Sequence, residues 1–146
     1  MGRDTARAMS EENVEIVRRG FELFNRGGPD AVISAEIWSP EIVWDTTPSG
    51  IAGLGAYRGY DEVRSAFEDN WFTAFPFEEW EIEVEELIDH GHQVIAMTRQ
   101  RGRGVGSGAA AELEQAHIFT LSDKQVVRIE THPNRDSALD AAGLLE

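Results

Sequence analysis

The chain contains no cysteine, which excludes disulfides, thiol nucleophiles and thiolate metal sites, and fits a reducing, cytoplasmic setting. It has no apolar run approaching the roughly 18 residues that a bilayer-spanning helix requires. Basic side chains are scarce, 13 against 27 acidic ones, for a net charge of −14. A surface of that sign repels nucleic acid and anionic membranes, so neither is an expected partner. Met1 to Ser10 holds no apolar stretch followed by a small-residue cleavage site, so it does not read as a secretory signal. What is present suffices for one core: 146 residues, 41% hydrophobic, with four tryptophans spread through regular apolar patterns.

Residues 1–9 read as a flexible leader to a single domain over 10–146. Ser10, followed by Glu11 and Glu12, marks a helix start. Val14, Val17, Phe21 and Phe24 then recur at helical spacing. Gly27-Gly28-Pro29 ends that helix, and a short second one runs from Asp30 to about Ile37. Glu41–Asp45 reads as a strand entering a turn-rich segment, Thr46–Gly59. Asp61 to about Phe75 forms a third helix. From Trp80 the period changes to two, giving strands through Trp80–Glu85, Gln93–Arg101, Ala111–Leu121 and Gln125 to about His132, then a last helix, Arg135–Ala142. Helices first and a meander afterwards is an α+β pattern, with N-terminal helices packed on a curved antiparallel sheet.

Alternation assigns the faces. Glu112 and Glu114 belong in water, with Arg99 and Arg101 across from them. Thr98, Gln100, Gln115 and His117 are therefore expected to point inward, with Phe119 and with Val127, Ile129 and Thr131 of the last strand. Polar groups converging in an apolar wall are what a ligand pocket needs. Trp44, Tyr57 and Trp71 are candidates to line it. His90 and His92 flank a hairpin glycine without a third ligand, so no metal is expected. The glycines from Gly102 to Gly108 lack the strand–loop–helix setting of a phosphate loop, and no cofactor is expected.

Val43-Trp44-Asp45 before a Gly/Pro-rich turn, Tyr57-Arg58-Gly59 before a helix, Ala116-His117-Ile118-Phe119-Thr120-Leu121, and the ending Ser137–Leu144 resemble the SnoaL-like branch of the NTF2-like superfamily. That group includes ketosteroid isomerases, limonene-type epoxide hydrolases and polyketide cyclases. The resemblance covers about residues 10–144. It implies a cone-shaped α+β barrel around one deep cavity for a small-molecule ligand, in a homodimer whose interface the outward Ile95 and Met97 would suit.

Taken residue by residue, the epoxide hydrolase triad falls on Thr131, Thr98 and Gln100, none of which is an acid or a base near neutral pH. The cyclase acid lies near the end of the same strand, where the adjacent Glu130 is expected to face the wrong side. The isomerase pattern fits better: its proton-shuttling aspartate matches Asp45, and its oxyanion donor lies on the strand holding His117. The epoxide hydrolase alignment instead turns Trp44 and Thr46 inward. The resulting expectation is a small apolar carbonyl-type ligand, with Asp45 and His117 as a candidate proton-transfer pair for an isomerase, cyclase or dehydratase. The alternative is a non-catalytic binding or scaffold module.

Overall fold

The structure, a computed structural model, describes residues 3–144, and the side chains of residues 10–144. Helix α1 spans Arg3–Ser34. It starts ahead of the expected Ser10 because neither glycine nor proline interrupts the preceding residues. The Ser10 hydroxyl is bonded to the Asp89 carboxylate and serves as no cap. Residues 1 and 2 of the expected leader lie outside the described residues. Gly28, at φ 68° and ψ −160°, breaks α1 into two segments ahead of Pro29, as left-handed glycine followed by proline should. The second segment stops at Ser34, three residues short of the expectation, as Glu36 turns to φ 59°.

Six strands follow: β1 Trp38–Asp45, β2 Ala56–Arg58, β3 Glu81–His90, β4 Gln93–Arg103, β5 Ala110–Ser122 and β6 Gln125–His132. They form one curved, unclosed sheet in the order β2-β1-β6-β5-β4-β3. One expectation needs correction: β1 pairs with β6 in parallel, the long excursion between them supplying the crossover that parallel pairing requires. The remaining neighbours are antiparallel. Between β2 and β3 the chain forms α2 Gly59–Ser65, a π-helical turn Ala66–Trp71, and α3 Phe72–Ala74. Along the open edge of β3, Asn25 of α1 replaces a neighbouring strand. Its Nδ2 donates to the Ile82 carbonyl at 2.8 Å, and its Oδ1 accepts from the Ile82 amide at 2.9 Å.

On the outer face Arg99 lies opposite Glu114, and Arg101 opposite Glu112. Arg99 bonds both Glu112 and Glu114, at 2.5 and 2.6 Å. Such exposed pairs steady the register and add little stability. Helix α4, Arg135–Ala141, lays Ala138 and Leu139 over Ile95, Met97, Ala116 and Ile118. Ile95 and Met97 are therefore covered by the chain's own helix and do not form the bare patch that a second copy would need. The main core lies on the inner face, where α1 packs across the sheet.

Candidate functional site

Between α1, the π-helical turn and the inner face of the sheet lies a cavity of about 90 Å³. A water needs only about 10–15 Å³, so there is room for several waters or one small organic molecule. All four tryptophans line it: Trp38, Trp44, Trp71 and Trp80. The aromatic wall is tightly stacked, with Phe67 lying 4.2 Å from Trp44 at an interplanar angle of 9°. Most of the polar groups enter this wall from the inner face of β4, β5 and β6; Thr46 and Ser49 join them from beyond the end of β1.

Those polar groups form two relays. In the first, Trp44 Nε1 donates to Thr131 Oγ1 at 2.9 Å, and Thr131 Oγ1 lies 3.0 Å from His117 Nδ1. His117 Nε2 lies 3.2 Å from Thr98 Oγ1, which reaches the Gln115 carbonyl at 3.3 Å. An indole N–H can only donate. The arrangement that satisfies every member has the Thr131 hydroxyl donating to Nδ1, Nε2–H donating to Thr98, and the Thr98 hydroxyl donating to the backbone. This assigns a neutral His117 protonated on Nε2, with both ring nitrogens in use. Burial drives the imidazole pKa down to about 4, and the neighbouring His132 pushes in the same direction.

In the second relay Trp80 Nε1 donates to Gln100 Oε1 at 3.1 Å, and Gln100 Nε2 donates to Gln115 Oε1 at 2.8 Å. Gly102 makes room for it: a Cβ there would stand 2.2 Å from the Trp80 ring. Outside the sheet His132, 3% exposed, bonds Glu130 at 2.7 Å and Ser137 at 2.8 Å, tying α4 to β6.

Of the residues singled out from sequence, Trp44, Thr46, Trp71, Gln100, Gln115, His117, Phe119 and Thr131 all line the cavity. Thr98 stands one layer behind, bonded to His117. Tyr57 does not line the cavity. Pairing with Trp44 puts it at the sheet margin, where its hydroxyl accepts from the Gly55 amide at 3.2 Å and its ring faces a groove along α2.

Asp45 also lies elsewhere. Alternation along β1 turns Trp44 inward and Asp45 outward, so Asp45 and His117 share no space. The Asp45 carboxylate accepts from the Thr47 amide at 3.0 Å, the Thr47 hydroxyl at 2.7 Å and Arg128 at 2.9 Å. Burial alone would raise its pKa, but the Thr47 hydrogen bonds and the Arg128 charge outweigh that and hold it below the ordinary carboxylate value. Val127 is corrected as well: a bulge between Leu121–Val126 and Thr120–Arg128 brings Val126 to the cavity in its place.

A model of the SnoaL-like domain matches residues 17–129. The chain belongs to the SnoaL-like domain family. An NTF2-like protein of unknown function from Burkholderia pseudomallei is 25% identical to it, over 92% of this chain and 97% of that one, with a TM-score of 0.69. A candidate SnoaL-like polyketide cyclase from Jannaschia is 24% identical, covering 94% and 93%, at a TM-score of 0.69. TerC, crystallised with polyporic acid, is 20% identical, covering 91% and 97%, at 0.71. No curated protein matches the chain. The fold is thus NTF2-like, and among the described residues no helix is long and apolar enough to cross a membrane.

Proposed function

We propose that this SnoaL-like protein holds a small, neutral, mostly apolar carbonyl compound in its cavity and moves no proton on it at neutral pH. The observation that carries this reading is the character of the wall. Among the described residues lining the cavity, His117 is the sole titratable group, and its pKa of about 4 leaves it uncharged. A charged ligand entering such a wall would lose its hydration with no counter-ion to replace it, at a cost of several kcal/mol. An apolar ligand meets four indoles and gains the transfer free energy of its surface. A general base needs a pKa near the working pH; His117 lacks that, and Asp45 points away. The co-crystallised ligand of TerC is consistent with small-molecule binding by proteins of this fold.

The test is a titration of 15N-labelled protein with acetophenone and, separately, with benzoate, its anionic near-isostere. Acetophenone is expected to shift the indole N–H signals of Trp44 and Trp80 saturably, and benzoate to leave them in place. Binding of benzoate as tight as that of the ketone would overturn the neutral-ligand reading.

A further inference from the structure

The two relays end differently, and the difference selects a functional group. The His117 relay is closed, because its last hydroxyl donates to the Gln115 backbone carbonyl and no proton is left over for a ligand. The Trp80 relay is open. Trp80 Nε1 can only donate, so the Gln100 atom facing it is the amide oxygen. Gln100 must then present its NH₂ group to Gln115, which fixes the Gln115 oxygen as the acceptor. One tryptophan thereby sets the orientation of both amides, and what remains at the end is the Gln115 NH₂ group.

That NH₂ group has no partner among the described residues. Gln115 is 8% exposed and lines the cavity. Among the described residues no side-chain polar atom sealed from solvent lacks a hydrogen bond, so the unpartnered amide is open to solvent-accessible space, and Gln115 lines the cavity. We infer that Gln115 Nε2 is the donor that recognises the ligand's carbonyl oxygen, with Gln100 and Trp80 as positioning residues that hold it donor-first. This inference rests on the cavity reading above and deepens it. A donor-only head fixed in a mostly apolar wall favours ketones, aldehydes and esters over hydrocarbons of the same shape, since the carbonyl regains there the hydrogen bond it loses in leaving water. It gives no such help to a ligand whose one polar group is a donor-only N–H.

The probe pair is acetophenone and α-methylstyrene, which replaces the C=O with C=CH₂ at nearly the same shape. Dissociation constants for both are measured by 15N NMR on the wild-type chain and on Gln115→Met and Gln115→Leu. The intact Trp44 indole signal confirms that each variant is folded. Removing the donor is expected to reduce the preference for acetophenone over α-methylstyrene by about three- to tenfold, the weight of one neutral hydrogen bond. In the wild-type chain acetophenone should move the Gln115 side-chain NH₂ resonances, and α-methylstyrene should not. If both compounds bind and the preference is the same in all three proteins, Gln115 does not recognise the carbonyl while the cavity reading stands. If neither compound binds, the cavity reading falls and this inference falls with it.

Discussion

Replacing His117 with glutamine tests how fully the cavity excludes charge. The imidazole is buried, and its pKa falls from 6.5 to about 4. Above pH 6.5 it is neutral in both the folded and the unfolded chain, so it contributes no pH dependence. Between pH 6.5 and 4 the unfolded chain takes up a proton that the folded chain refuses, and stability falls with pH. A proton affinity set by 6.5 in one state and about 4 in the other corresponds to a loss of about 3 kcal/mol by pH 4. Below pH 4 the loss stops growing. His117→Gln keeps hydrogen-bonding capacity toward Thr98 and Thr131 but cannot ionise, so it removes this slope and leaves a constant offset. The assay is urea unfolding of both proteins at half-unit intervals from pH 8 to 4. The free energy of the wild-type chain minus that of the variant should be flat above pH 7 and drop by about 3 kcal/mol toward pH 4. Parallel curves across the range would refute the buried, neutral imidazole.

Other substitutions probe the walls. Gly102→Ala drives a methyl group into the Trp80 ring, which stands 2.2 Å from the ideal Cβ position; a loss of about 1–3 kcal/mol in urea unfolding and a displaced Trp80 indole signal are expected. Thr131→Val strips the partner from Trp44 Nε1 and His117 Nδ1 together and should cost at least about 1–3 kcal/mol, against near-neutral effects for Thr-to-Val changes at exposed sites. Asp45→Ala removes a carboxylate that faces Thr47 and Arg128; the Kd for acetophenone should stay within about threefold of wild type, and a tenfold loss would return Asp45 to the cavity.

How much of this was legible in advance depended on where period-two alternation ran undisturbed. Glu112 and Glu114 had to face water, and that single constraint oriented Gln115, His117 and Phe119 inward through the regular stretch of β5 and, across the ladder, Thr98 and Gln100 of β4. The reading slipped where geometry breaks the alternation. The bulge at Val127 exchanged it for Val126, and the parallel β1–β6 pairing depends on contacts far apart in the chain. Asp45 sat between two alignments; with Trp44 in the cavity, alternation along β1 turns Asp45 outward, where Thr47 and Arg128 hold its carboxylate. Trp80, Phe67 and Trp38 went unmarked as cavity residues. For Trp80 a signal was available: it shares parity with Ile82, which also lines the cavity. That Gln100 and Gln115 form one oriented chain could not be read from spacing, because it needs the side chain of Trp80, just ahead of β3, to set the direction.

Whether the cavity binds a carbonyl compound and moves no proton on it can be read by NMR of the protein with acetophenone in neutral D₂O. Exchange of the ketone's methyl protons for deuterium reports proton abstraction beside the carbonyl, while the indole N–H signals of Trp44 and Trp80, read in a matched H₂O sample, report occupancy. Saturable indole shifts with methyl exchange no faster than in buffer are expected. Methyl exchange accelerated by the protein and abolished in His117→Gln would contradict it and make the cavity a proton-transfer site.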